Sequence, residues 1–172
     1  MAPGSASLYW IDSRLWREAN LSLSRTLGAR EPELAVARGT AQRMEALLEF
    51  VIPVMEELCD ETCPACSDPC CVRARARFEL ADLIFLHLAG RALPLMQAGP
   101  EGHGACRHLG EQGCLLPRLS RPWICRWYLC PRQKRLVRHY PASGQRRFEI
   151  ALARIRRLRH NLEDTFIQAV SR

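Results

Sequence analysis

Long hydrophobic runs are missing from the sequence. The longest apolar stretches, residues 47–55 and 83–89, are far shorter than the roughly 20 residues that cross a bilayer as a helix. Residues 1–16 also lack the basic start and the apolar segment of a secretory signal. We therefore expect a cytoplasmic protein with no membrane partner, in a compartment where glutathione and thioredoxin keep cysteine thiols reduced.

Strand signals are also scarce. No stretch shows a convincing alternation of apolar and polar residues, and aromatic residues make up only 7% of the chain. Apolar residues nevertheless account for 48% of the sequence and charged residues for 25%, which is typical of a folded domain and excludes disorder throughout. The core is therefore expected to consist of helices.

Apolar residues recur at helical spacing in four segments. These segments are residues 8–27, 32–58, 73–89 and 145–170. Ser5 or Ser7 is expected to cap the first helix, and Pro53 is expected to kink the second because proline removes one backbone hydrogen bond. The third segment is apolar nearly all round, which predicts burial on every side.

The length of 172 residues predicts a single domain, 1–172. Residues 1–58 are interpreted as an N-terminal helical pair, residues 59–131 as a metal-binding core and residues 132–172 as a basic C-terminal helical segment. The loop over residues 90–131 is unusually long for a domain ordered by a hydrophobic core alone. The predicted fold class is therefore mainly α, with helices packed around irregular cysteine-rich loops that a metal organises.

All nine cysteines lie in the central part of the chain. The first group is Cys59, Cys63, Cys66, Cys70 and Cys71, and the second is Cys106, Cys114, Cys125 and Cys130. An odd number of thiols in a reducing compartment argues against a disulfide scaffold and favours a metal site. The two-residue spacer between Cys63 and Cys66 allows a tight turn to aim both sulfur atoms at one ion. Thiolate ligands are typical of zinc, iron–sulfur clusters and copper(I).

A short helix is predicted inside the second cysteine group. Ser120 is expected to cap a helix that begins near Arg121, which places Cys125 on the helix and Cys130 just beyond its end. Pro131 is expected to stop the chain from continuing as a helix after that point.

These spacings resemble those of the YkgJ-type cysteine-cluster family, which is described as a zinc- or iron-chelating domain. The resemblance covers residues 63–130 and consists of C-x2-C-x3-C-C, then C-x7-C, then R-P-x-x-C-R-x3-C. It implies eight metal ligands: Cys63, Cys66, Cys70, Cys71, Cys106, Cys114, Cys125 and Cys130. It further implies a centre of zinc or iron, an iron–sulfur cluster included, with a structural or redox role. Whether the chain is an enzyme is left open.

The charge of such a centre needs compensation. A zinc ion with four thiolates carries a formal charge of −2. Two such centres, built from eight thiolates, would place twice that charge in a small volume. Arg121 and Arg126 lie inside the last motif of the resemblance. They are therefore predicted to support the thiolates by hydrogen bonds from outside the ligand set.

Three residues near the motifs have other predicted roles. Cys59 lies outside the family's pattern and is predicted to be dispensable, so that Cys59→Ser keeps the metal whereas Cys63→Ser loses it. His103 and His108 flank Cys106 and are alternatives to a cysteine ligand.

Two enzyme hypotheses have less support in the sequence. The spacing Cys59-x3-Cys63-x2-Cys66 is that of a radical S-adenosylmethionine motif, but such enzymes carry a βα barrel that needs many strands. The YkgJ-type family also includes proteins similar to flagellin lysine methylases, yet this chain has no G-x-G-x-x-G loop. A metal- or cluster-dependent, methyltransferase-like enzyme is therefore kept as an alternative.

Nucleic-acid binding is a further alternative. Residues 131–160 contain ten lysines and arginines but a single acid, Glu149, so this segment has a net charge of +9. Such a patch can neutralise phosphates. Residues 44–62 carry six acids and no base, and pairing with them is the competing explanation for the basic segment. Nucleic acid is consequently not the favoured partner, and the sequence identifies no protein partner.

Overall fold

Helices account for most of the fold, as the sequence predicts. The computed structural model describes residues 12–73, 76–99, 104–111 and 113–171. Its α-helices are α1 (Ser13–Ala29), α2 (Ala35–Thr62), α3 (Cys70–Arg73), α4 (Leu80–Leu88), α5 (Trp123–Trp127), α6 (Pro131–Val137) and α7 (Ala142–Val170). Arg118–Ser120 forms a 3-10 turn, and strands β1 (Leu109–Gly110) and β2 (Gly113–Cys114) pair as an antiparallel ribbon. The mainly α fold class is therefore confirmed.

The hydrophobic core lies where α2, α4 and α7 pack together. Leu48 and Val51 of α2 and Ile155 and Leu162 of α7 are fully buried, because the apolar stripes of the two long helices face each other. In α4 every residue from 81 to 86 is buried, which confirms the predicted burial of this helix. Among the described residues, no helix is both long and apolar enough to cross a membrane.

Helix α1 begins at a cap that the sequence pattern does not indicate. The carboxylate of Asp12 accepts hydrogen bonds from the backbone N–H groups of Arg14 (2.7 Å) and Leu15 (3.1 Å). The predicted caps Ser5 and Ser7 lie outside the described residues. The apolar pattern locates the helix but not its first turn, since apolar residues at helical spacing continue upstream of Asp12.

Helix α2 continues beyond its predicted end at residue 58. Cys59 lies in its last turn, and the N–H of Cys63 donates a hydrogen bond to the carbonyl of Cys59 at 2.7 Å. Thr62 is buried one turn after the last predicted position, so packing sustains the helix to this point. Pro53 lies inside the helix. The extension matters because it makes Cys59 a helical residue.

The predicted third helix, residues 73–89, is helical over Leu80–Leu88, and Arg73 is the last residue of the separate helix α3. Helix α3 ends at Arg73, residues 76–79 are not helical, and α4 begins at Leu80. Glu79 and Asp82 form a capping box in which the N–H of Glu79 donates to Asp82 Oδ2 at 3.0 Å. Periodicity does not reveal this break, because two polar side chains set it rather than the apolar stripe.

The region between α4 and α7 holds more regular structure than predicted. The β-ribbon was not expected, and Gly113 in it has a φ of +117°, a conformation that favours glycine. Helix α5 carries Cys125 as predicted, but no side chain caps it, so the role expected of Ser120 is wrong. Pro131 does not stop a helix. It is the first residue of α6, and Cys130 is the N-cap.

Candidate metal centre

The first cysteine group lies on the end of α2, on the turn that follows, and on α3. Cys59 and Cys63 are four residues apart and therefore on the same face, one helical turn from each other. The N–H of Cys66 donates to the carbonyl of Cys63 at 3.1 Å, which closes the predicted tight turn. Helix α3 begins at Cys70 and continues with Cys71. Cys63, Cys66 and Cys70 are exposed, whereas the other two are partly buried.

The second cysteine group is distributed over several short elements. Cys114 lies in β2, Cys125 in α5, and Cys130 caps α6, while Cys106 precedes β1. All four are partly buried. The N–H of Cys106 donates to the carbonyl of Cys71 at 3.0 Å. This backbone hydrogen bond joins the two groups, which are far apart in sequence.

Electrostatic interactions show which thiols lie near one another. The pKa of Cys71 is raised by its hydrogen bond with Cys70, then by burial, and then by repulsion from Cys70, Cys114 and Cys125. Burial raises the pKa of Cys125 to about 12, and repulsion from Cys114 and Cys106 adds to the effect. Because repulsion weakens with distance, thiols of both groups must share one region.

The exposed thiols of Cys63 and Cys70 differ in charge. Partial burial of the sulfur, followed by repulsion from Cys59, raises the pKa of Cys63 to about 11. The hydrogen bond from Cys71 lowers the pKa of Cys70 to about 6, so Cys70 is largely a thiolate at neutral pH. Thiols that oppose one another's ionisation favour a bound cation, because the metal replaces their protons.

The cysteines share this region without forming a finished coordination sphere. Within the described part of the chain, no three His, Cys, Asp or Glu side chains are grouped so that they could hold a metal ion as they stand. The donors nevertheless fit zinc or iron in kind, since both bind thiolate sulfur. Several buried side-chain nitrogens here have no hydrogen-bond partner among the described residues: Arg107 Nε, Arg118 Nε, Arg126 Nη2 and Trp127 Nε1. Such donors suit a site that gains negative charge.

The two predicted supporting arginines have different surroundings. The Arg121 guanidinium opposes the effect of burial and lowers the pKa of Cys125, and its Nε donates to the carbonyl of Leu116 at 2.9 Å. Arg126 is fully buried, its Nε donates to the carbonyl of Arg121 at 2.6 Å, and its guanidinium lies 4.9 Å from the centre of the Phe85 ring. Burial lowers the pKa of Arg126 to about 10. Arg121 is thus the better placed to act on a thiolate, and Arg126 anchors α5 to α4.

The histidines near Cys106 add little to the site. Nε2 of His108 lies 3.2 Å from the carbonyl oxygen of Met96, and burial lowers the pKa of the ring. One ring nitrogen is therefore engaged with the backbone. His103 lies outside the described residues, and the hypothesis that either histidine replaces a cysteine ligand stays a prediction.

Two residues of this region carry no signal in the sequence. Nη2 of Arg118 donates to Sγ of Cys59 at 2.9 Å, and Nε2 of Gln133 donates to the same sulfur at 3.4 Å. They are 59 and 74 residues from Cys59 along the chain, so no spacing pattern indicates these contacts. Only the packing of the 3-10 turn and α6 against α2 brings them together.

Comparisons with known proteins were made for the whole chain. A scan against protein-family models, a search of curated proteins and a search of solved structures each give no match. The resemblance to the YkgJ-type family therefore stays a prediction from the cysteine spacing. Function has to be inferred from the residues and contacts described above.

Proposed function

We propose that this chain is a metal-binding protein of the cysteine-cluster type, in which eight thiolates chelate zinc or iron. The proposed ligands are Cys63, Cys66, Cys70, Cys71, Cys106, Cys114, Cys125 and Cys130. The observation that supports the proposal most is that the two cysteine groups lie together. The N–H of Cys106 donates to the carbonyl of Cys71, and the thiols of the two groups repel one another. A cation bound among them would turn that repulsion into attraction.

A metal accounts for these cysteines better than inert burial does. Inert free cysteines are usually buried, whereas Cys63, Cys66 and Cys70 are exposed. On binding, each protonated thiol releases its proton to solvent and its sulfur bonds to the metal, while Cys70 binds as the thiolate that it already is at neutral pH. The spacing of the YkgJ-type family supports the same ligand set.

The ligand count favours a closed centre. Eight thiolates satisfy two tetrahedral zinc ions completely, or one polynuclear iron centre, and leave no position for a substrate. The function that follows is structural or electron-carrying rather than hydrolytic. Arg121 lowers the pKa of Cys125 and so supports negative charge on one of the proposed ligands.

Elemental analysis and an absorption spectrum of protein purified without oxygen test the proposal. About two zinc ions per colourless chain identify four-cysteine zinc centres, and a brown protein with iron and sulfide identifies a cluster. Cys125→Ser is expected to lower the metal content, whereas Ser143→Ala, an exposed change on α7, is expected to keep it. A fully folded wild-type protein that contains no metal contradicts the proposal.

A second candidate function is nucleic-acid binding by the basic face of α7. Its exposed arginines are Arg146, Arg147, Arg154, Arg156 and Arg157. The ion pairs on α7 join Arg159 to Glu79 and Asp82, and His160 to Asp164. In the described ranges, no ion pair joins an α7 arginine to an acid of α2. The guanidinium groups of Arg147 and Arg156 lie over the rings of Phe50 and Trp127. The five arginines are nevertheless exposed, so phosphates can reach them.

Filter retention of labelled DNA and RNA at two salt concentrations tests this second function. Replacing Arg154 and Arg157 by glutamine is expected to weaken retention, and retention is expected to fall steeply with salt. The control replaces Arg14 and Arg17, which are exposed on α1, and removes the same charge. If both double variants lose the same amount of retention, or if the wild type retains no nucleic acid, a nucleic-acid site on α7 is contradicted.

A further inference from the structure

The structure surrounds Cys59 with contacts that a dispensable thiol does not need. Cys59 is partly buried in the last turn of α2, on the same face as Cys63. The two sulfur atoms are near enough for Cys59 to contribute to the raised pKa of Cys63. A pair of ligands at positions i and i+4 of a helix is a spacing that allows two side chains to bind one ion.

Two buried donors converge on the Cys59 sulfur. Arg118 Nη2 lies 2.9 Å from Sγ, and Gln133 Nε2 lies 3.4 Å from it. Arg118 and Gln133 are each only 4% exposed. The guanidinium of Arg118 carries a positive charge, so this contact at 2.9 Å favours negative charge on the sulfur once its proton is lost.

Arg118 has no carboxylate partner in the described part of the chain. Its Nε has no hydrogen-bond partner, and no carboxylate of the described residues forms an ion pair with it. Its remaining hydrogen bond runs from Nη1 to the carbonyl of Cys125 at 3.2 Å. A buried guanidinium without a counter-charge is strongly unfavourable. The sulfur of Cys59 contacts this guanidinium, and it becomes negatively charged when a metal displaces its proton.

The same two donors connect Cys59 to the second cysteine group. Arg118 reaches the backbone of Cys125, and Gln133 exchanges two hydrogen bonds with Cys130. In the latter, the N–H of Gln133 donates to Sγ of Cys130 at 3.4 Å, and the N–H of Cys130 donates to Oε1 of Gln133 at 3.1 Å. Cys59 therefore lies where both groups converge, with donors of the kind that orient metal ligands.

We infer that Cys59 is a metal ligand, which binds the same ion as Cys63 and is oriented by Arg118 and Gln133. Because two tetrahedral ions take eight thiolates, Cys59 occupies one of those eight positions in place of another cysteine. The inference rests on the proposed metal binding. When the ion binds, the S–H bond of Cys59 breaks, its proton passes to solvent and a sulfur–metal bond forms, so no oxidant or reductant is consumed. This role replaces the prediction that Cys59 is dispensable.

The test loads the full-length wild type and Cys59→Ser with cobalt(II) after the native metal is removed under reducing conditions. Cobalt(II) occupies tetrahedral zinc sites, and its sulfur-to-metal charge-transfer band reports thiolate ligands. Cys59→Ser is expected to weaken this band and to lower cobalt affinity at least about tenfold. Arg118→Met is expected to lower affinity about 10–100-fold while the band per bound ion is kept. Arg132→Met, an exposed change on α6, is the charge-matched control and is expected to change neither.

The outcomes separate this inference from the proposed function. If wild type and Cys59→Ser have the same cobalt affinity, the same number of bound ions and the same band intensity, the inference is wrong. The proposed metal binding is then unaffected. A wild type that binds no metal overturns both. If circular dichroism shows that Cys59→Ser does not fold, iodoacetamide mapping of the wild type decides. Protection of Cys59 that rises with cobalt occupancy supports the inference, and an unchanged modification rate overturns it.

Discussion

Helices α2, α4 and α7 bury a continuous set of leucine, isoleucine and phenylalanine side chains, whereas residues 104–130 bury several charged and polar ones. Arg118 and Arg126 are among the least exposed residues of that second region, and each has a buried nitrogen without a partner. The two regions are therefore stabilised differently. The hydrophobic effect holds the helices. It reaches the cysteine-bearing region through partly buried side chains such as Leu119, Trp123 and Leu129, where the burial of unpaired polar groups opposes it.

This difference in stabilisation indicates which region a bound metal would stabilise. Ordering each residue costs roughly 1–2 kcal/mol of backbone entropy, and a structural zinc site contributes about 10–16 kcal/mol at neutral pH. A contribution of that size offsets the ordering of roughly ten residues, so it can decide whether a partly packed loop is ordered, but it is not needed by helices that already pack on one another.

Metal removal is expected to have the largest effect, and to affect the cysteine-bearing region but not the helices. A strong chelator should leave most of the helical circular dichroism, because α2 and α7 retain their apolar contacts. Residues 63–73 and 104–130 should become sensitive to protease, which mass spectrometry of the fragments would show. If the chelator removes the metal and both segments stay resistant, the metal does not organise them.

Leu48→Ala is expected to do the opposite of metal removal, because it should destabilise the helices and leave metal binding unchanged. Leu48 is fully buried in α2, so its truncation should lower the free energy of unfolding by about 2–5 kcal/mol in urea denaturation. The metal bound per folded chain should not change. Leu115→Ala is the control in the cysteine-bearing region, because Leu115 is 70% exposed and its loss should cost less than about 0.5 kcal/mol. A larger cost for Leu115 than for Leu48 would reverse the comparison.

Asp82→Asn is expected to weaken the contact between the two regions. Asp82 is 2% exposed, lies 3.5 Å from Arg159 Nε, and its charge also acts on the buried Arg126. Removing that charge leaves two guanidinium groups together, so we expect a loss of about 3 kcal/mol in urea denaturation. Asp164→Asn removes an exposed partner of His160 and should cost less than about 1 kcal/mol. Equal losses would show that the buried carboxylate has no special role.

The smallest effect concerns two exposed thiols of the first cysteine group. In chelator-treated protein at pH 7, iodoacetamide should modify Cys70 faster than Cys63, because pH 7 lies above the Cys70 pKa of about 6 and far below the Cys63 pKa of about 11. The Cys70 rate should rise as pH increases through about 6 and then level off, while the Cys63 rate should still increase above pH 9. Peptide mapping at several pH values measures both rates. Identical pH profiles would contradict the assigned hydrogen bond between Cys70 and Cys71.

The sequence predicts the helical frame well and the details of the cysteine-bearing region poorly. Apolar periodicity locates the long helices because burial of one face is what makes them stable. It misses the break before α4 and the start of α6, since the capping boxes of Glu79 with Asp82 and of Cys130 with Gln133 depend on single polar contacts.

In the candidate site, too, the sequence indicates the local contacts but not the long-range ones. Spacing alone indicates the tight turn from Cys63 to Cys66, because the contact is local. It cannot indicate that Arg118 and Gln133 meet Cys59, since those partners come from elements that follow long intervening segments.

The amino-acid sequence by itself determined the mainly α fold class, the nine thiols and the position of the basic segment, because each follows from residue type or short-range periodicity. The tertiary structure alone decided that Cys71 and Cys106 lie side by side and that Arg159 of α7 pairs with Glu79 and Asp82. It also decided that a buried guanidinium points at Cys59. The physical reason is that charge and hydrogen-bond partners are chosen by proximity in space, which the packing of distant segments sets.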